Sequence, residues 1–166
     1  MKDFKHQYIM KKLIITLFAV LAMTFSAKAQ MYVGGMVGLG ISSSGGGTVL
    51  TLSPEVGYDF NSKIGAGVLL ELQGSPFTWS LNPYFRWKFA QLGKATFLSD
   101  FMASFGGFEN VFTWGIHAMP GISFEITDKV SFVTRVASIG VSGGSENTSF
   151  NLNLFQGAQI GLFYKF

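Results

Sequence analysis

The run FTWSLNPYFRWKF at residues 77–89 alternates strictly for thirteen positions. Phe77, Trp79, Leu81, Pro83, Phe85, Trp87 and Phe89 share one parity, and Thr78, Ser80, Asn82, Tyr84, Arg86 and Lys88 the other. Successive side chains of a strand point to opposite faces, so this period of two specifies an extended segment with one apolar and one polar face. The same alternation recurs to the C-terminus and predicts eight strands, at about 31–41, 48–60, 63–73, 77–89, 94–105, 112–126, 129–141 and 153–166. Turn-type sequence separates them: 42–47, 61–62, 74–76, 91–93, Gly106-Gly107, 127–128 and 142–147.

The even-numbered strands end on a common template. LSPEVGYDF (52–60), LNPYFRWKF (81–89), AMPGISFEI (118–126) and AQIGLFYKF (158–166) each close with three apolar residues of one parity, the middle one aromatic, and a charge before the last. Four tandem hairpin units suit an up-and-down closed barrel. The strands are about 11 to 15 residues long, against roughly 9 to 11 for a tilted bilayer crossing and about 5 or 6 in ordinary sheets. Lipid offers no partner to unpaired backbone N–H and C=O groups, so spanning strands must close on themselves, and an even count permits that. The expected fold is all-β: an eight-stranded antiparallel up-and-down transmembrane barrel.

On this reading the apolar parity faces lipid and the other faces the lumen. The lumen parity carries Glu55, Glu71, Arg86, Lys88, Asp100, His117, Glu125, Arg135 and Lys165, and no charge in the strand interiors falls on the apolar side. Eight strands leave room mainly for side chains, and buried charges must be paired. We therefore expect Glu55, Glu71, Asp100 and Glu125 to oppose Arg86, Lys88, Arg135 and Lys165 in an ion-paired plug. Tyr58, Trp79, Trp87, Trp114 and Tyr164 stand near strand ends, where an interfacial girdle requires them. Gly34, Gly38 and Gly40 have lumen parity and leave space for large neighbours or let the sheet coil tightly. Pro54, Pro83 and Pro120 each remove a ladder hydrogen bond from a closed sheet; their identical placement points to a shared bulge or local widening.

Lys11 and Lys12, the apolar run 13–25 and the small-residue site ending at Ala29 make residues 1–29 a cleavable signal peptide, with the barrel at 30–166. Met10 begins a complete signal by itself, which leaves open whether residues 1–9 are a mis-called start. The +3 charge of the whole chain comes from that segment: residues 30–166 hold seven Lys and Arg against eight Asp and Glu. No nucleic-acid surface remains. With no cysteine there is neither a disulfide framework nor a thiolate metal site, and the scattered acids suggest no metal or other cofactor.

The stretch LSPEVGYDFNSKIGAGVLLEL (52–72), its echo MPGISFEITDKVSFV (119–133) and the ending GLFYKF resemble the small outer-membrane beta-barrel proteins of Gram-negative bacteria, of the opacity-protein and OmpA-transmembrane-domain type. The resemblance covers residues 30–166. It implies the bacterial outer membrane as location, outer-membrane lipid and the barrel-assembly machinery as partners, and a terminal-strand insertion signal at Leu162, Tyr164 and Phe166. It specifies fold and place far better than activity. No peptidoglycan-binding domain follows the barrel, so that role is not carried over.

Among functional readings, a structural or partner-anchoring barrel comes first and a narrow conduit for small or apolar solutes second. An adhesin comes last, because the loops are short, rich in Gly and Ser and nearly uncharged. If the faces were inverted, the chain would be a soluble lipocalin-like carrier. No enzyme is expected: His117 is the single histidine of 30–166, and its same-face neighbours Gly115 and Met119 offer no hydroxyl.

Overall fold

The computed structural model describes residues 30–41, 48–74, 77–108, 111–144 and 148–166. The proposed signal peptide and the tips of the four longer loops lie outside these residues. Eight strands form: β1 (Gln30–Ile41), β2 (Thr48–Asp59), β3 (Ile64–Gln73), β4 (Thr78–Leu92), β5 (Ala95–Phe108), β6 (Val111–Glu125), β7 (Val130–Gly143) and β8 (Thr148–Lys165). Each pairs antiparallel with the next, and β1 pairs with β8 to close the barrel. The backbone N–H of Phe166 donates to the Met31 carbonyl at 2.9 Å across that seam.

Three boundaries move. Gly106 and Gly107 are not a turn: β5 continues through them, paired with Thr113 and Phe112. A Cβ on Gly106 would collide with the backbone of Trp79 and with Ser80, so the glycine marks a close approach of strands. At the same end, Ser142 and Gly143 pair with Ser149 and Thr148, which starts β8 at 148 rather than 153. At the other end β4 runs to Leu92, and the turn closes on Gly93, whose φ of 59° suits a residue without Cβ. The turns at 60–64 and 126–130 are copies of one another. Asn61 Oδ1 accepts from the N–H groups of Lys63 and Ile64, and Thr127 Oγ1 from those of Lys129 and Val130.

The apolar parity is outside. Val56, Leu70, Phe85, Phe101, Ile116, Phe124, Ile139 and Ile160 are all exposed, on every side of the barrel. The lumen parity is buried, with Tyr32, Met36, Leu69, Tyr84, Leu98, Met102, Val133 and Phe163 forming an apolar inner layer around the charges. Large inner side chains face glycines across the strand: Tyr32 pairs with Gly57, Tyr84 with Gly67, Phe163 with Gly34 and Met36 with Gly161. At each of these glycines an added Cβ would overlap the opposite side chain. The narrow lumen thus fills by matching bulk on one strand to its absence on the next.

The prolines do not share a bulge. Pro54 and Pro83 pair in unbroken register with Gly35 on β1 and Val68 on β3. Toward the following strand the pairing skips Ser53–Pro54 and Asn82–Pro83 and resumes unshifted. Only Pro120 coincides with a register shift, between Ala118 and Gly121 on the β7 side. In an antiparallel pair a residue's N–H and C=O point to one neighbour. Each proline therefore turns its missing donor toward the next strand and leaves the pairing with the previous one intact. The remaining irregularities lie elsewhere, at Lys88/Ala90 and Arg135/Ala137.

Candidate functional site: the charged lumen

Four strands aim one ionised side chain each at the same point in the lumen: Glu55 from β2, Arg86 from β4, Asp100 from β5 and Arg135 from β7. Arg86 grips Asp100 bidentately, with Nε to Oδ1 at 2.7 Å and Nη2 to Oδ2 at 2.8 Å. Arg86 Nη2 also donates to Glu55 Oε1 at 3.1 Å. Arg135 Nη2 bridges the two acids, 2.9 Å from Glu55 Oε2 and 2.6 Å from Asp100 Oδ2, while Nε adds a bond to Asp100 at 2.9 Å. Two guanidinium groups and two carboxylates make the quartet neutral, and its side chains are 0 to 5 % exposed. Planar forks matched to carboxylates are the geometry in which buried ions are tolerated.

Aromatic groups complete the cluster. Tyr84 donates to Glu55 Oε1 at 2.6 Å and is bonded in turn to the Tyr32 hydroxyl. The Arg86 guanidinium lies 5.1 Å from the Tyr84 ring centre, 5.4 Å from Tyr32 and 5.9 Å from Phe163. Arg135 lies 5.7 Å from Tyr84 and directs Nη1 at the Met36 sulfur. Faces of aromatic rings attract cations most strongly where water is excluded.

Toward the end where β1 begins and β8 ends, Lys88 pairs with Asp59 at 2.5 Å and Lys165 with Glu125 at 3.2 Å. These pairs border a cleft of about 240 Å³. At the opposite, loop-bearing end lies a wider cup of about 540 Å³ with Glu71 and His117 in its wall. The two cavities have no lining residue in common, and Glu55, Asp100 and Arg135 line neither.

No family of known proteins matches the sequence, and no curated protein is detectably similar to it. Solved structures are. A de novo designed transmembrane beta-barrel superposes with a TM-score of 0.56 at 11 % identity, covering 85 % of this chain and 98 % of that one. Neisserial surface protein A superposes with a TM-score of 0.55 at 14 % identity, covering 83 % and 97 %. The fold is that of an eight-stranded transmembrane β-barrel. A designed barrel has the same fold, so the fold carries no activity with it.

On this barrel the aromatics singled out in the sequence all stand on the outer face, in two tiers. Tyr58, Trp87 and Tyr164 lie at the end where β8 finishes, each in edge or tilted contact with the phenylalanine two positions on: Phe60, Phe89 and Phe166. Trp79 and Trp114 lie at the loop end, opposite Gly107 and Gly143. Leu162, Tyr164 and Phe166 share the exposed parity of β8.

The nine lumen residues do not form one network. Glu55, Arg86, Asp100 and Arg135 are brought together, and Glu125 joins Lys165. The partner of Lys88 is Asp59, a residue outside the expected set. Glu71 meets no cation among the described residues; it accepts from Gln73 Nε2 at 2.8 Å and Gln159 Nε2 at 3.3 Å. His117 lies apart from every ion pair, its ring against Gly115 and Gly140. Tyr32, Tyr84 and Met36 were missed as members of the cluster, and Asp59 as the partner of Lys88. Their signal was parity: Asp59 shares the face of Glu55, and Tyr84 that of Arg86.

Proposed function

We propose that the chain is an integral barrel of the bacterial outer membrane, with a structural or partner-anchoring role and a lumen closed by its own ion pairs. The observation that carries the plug is the neutral, water-excluded quartet standing between the two cavities. Membrane residence is supported by the exposed apolar residues on all sides, which in water would form a patch far above what soluble monomers tolerate. The signal-peptide pattern and the likeness to a Neisserial surface protein support the outer membrane. The reading assigns no catalytic step, and its partners are lipid and, during biogenesis, the assembly machinery.

The narrow-conduit reading has one observation in its favour, the pair of cavities that approach the quartet from either end. Planar-bilayer recording separates the two. The refolded barrel is expected to insert without conductance steps; stepwise current through the wild-type protein overturns the plug and supports the conduit. For the anchoring role, crosslinking in intact cells is expected to recover a recurrent partner.

A further inference from the structure

Glu71 breaks the charge bookkeeping of the lumen. Of the acids with lumen parity, Glu55, Asp59, Asp100 and Glu125 each have a cation within 3.2 Å. Glu71, in the wall of the loop-end cup, has two amide donors and no cation among the described residues. An ionisable group in a membrane-spanning strand is a candidate functional site whose partner is to be sought. Beyond those two amide donors, two buried polar atoms near it have no partner among the described residues. Gln159, 5 % exposed, spends its N–H on Glu71, and its Oε1 is buried without a partner. His117 Nδ1 is likewise unpartnered.

We propose that the loop-end cup binds a small organic cation, an alkylammonium or guanidinium group, with Glu71 as its counter-ion. The cup's volume of about 540 Å³ falls in the range of small-molecule sites, roughly 300 to 1,000 Å³. The Ser80 and Ser104 hydroxyls also line it, and Ser80 sits directly opposite Glu71 in the β3–β4 register. A cation with several N–H donors can give one to the carboxylate and others to these oxygens. A hard metal ion fits less well. It wants about six to eight oxygen ligands, and the described residues contain no group of three His, Asp or Glu suited to a metal. The proposal is independent of the plug: a conducting barrel would leave it standing.

The test is a titration of the folded barrel in detergent micelles with ethylammonium chloride, read by NMR at the Glu71, Gln73 and Ser80 amides and the His117 ring. Sodium chloride is kept in large excess so that general screening gives no signal. Ethanol serves as the uncharged isostere. Saturable shifts with ethylammonium and none with ethanol are expected, and Glu71→Gln should weaken the binding at least tenfold. Ser80→Lys places an ammonium of the barrel's own beside Glu71 and should abolish binding. Both variants are first checked for the heat-dependent gel shift of an intact barrel; should Glu71→Gln not fold, Ser80→Lys decides. Equal shifts with ethanol, or undiminished binding in the folded variants, overturn the proposal.

Discussion

Arg135 is the residue on which the lumen most depends. It is wholly buried, and among the described residues it alone bonds Glu55, Asp100 and Met36 together. Removing one partner of a buried ion pair leaves an uncompensated charge, which typically costs about 3 to 5 kcal/mol, whereas an exposed pair is worth about 0 to 1 kcal/mol. Arg135→Leu should therefore lower the unfolding free energy in lipid vesicles by roughly 3 to 5 kcal/mol. Lys165→Ala should lower it by no more than about 1 kcal/mol, because Glu125 is 41 % exposed and keeps its water. Equal losses in urea titrations of the two variants would show that the quartet is not special. Parity placed these residues on the inner face from sequence alone. It did not pair them, because the contacts run across the lumen between β2, β4, β5 and β7. Which heights meet there is set by the stagger of the closed barrel, a quantity alternation does not carry. Lys88 illustrates the point: from sequence its partner could be any inner acid, and only the register brings Asp59 to it.

At the scale of the strand, the sequence was most legible where its chemistry repeats. The template endings of β2, β4, β6 and β8 gave the hairpin units, and the copied turns at 60–64 and 126–130 show the same units in hydrogen bonds. It was least legible where one residue type serves two ends. A glycine pair signals a turn by its freedom and a close strand contact by its lack of bulk, and Gly106-Gly107 is the second case. Of the two readings of the prolines, the shared bulge does not hold and a local opening of the ladder does at Pro54 and Pro83, since a missing donor need not shift a register when the gap faces one side only. This has a consequence at Pro83, where the register toward β5 is the same before and after the gap. Pro83→Ala should restore an N–H with a carbonyl opposite it. The variant should keep the fold and gain a slowly exchanging amide at 83, with a stabilisation of about 0.5 to 1.5 kcal/mol for one ladder bond. At Pro120 the register shifts by one residue, so Pro120→Ala should gain no such protected amide. Hydrogen exchange followed by NMR compares the two directly; protection at both positions, or at neither, contradicts the one-sided gap.

For the whole molecule the decisive question is what the outer face meets. Alternation alone left two barrels, one apolar outside and one apolar inside, and closure of the sheet with charges inward selects the first. A soluble carrier of this fold would need its apolar parity in the lumen, where Glu55, Arg86, Asp100 and Arg135 stand instead. The apolar face makes a prediction that depends on depth. An arginine on the lipid side of a barrel costs about 2 to 4 kcal/mol at the bilayer midplane and about 0 to 1 near the interfaces. Val68 lies at the middle of β3, exposed and paired with Val56 and Pro83. Phe150 lies at the loop end of β8 and is more exposed still, at 70 %. In a bilayer, Val68→Arg should destabilise the barrel by about 2 to 4 kcal/mol and Phe150→Arg by no more than about 1. If water bathed both positions, neither substitution would have a depth-dependent cost, and replacing the more exposed phenylalanine would be no milder than replacing the valine. Unfolding titrations in phospholipid vesicles measure the difference; equal values for the two arginines would remove the membrane from this account.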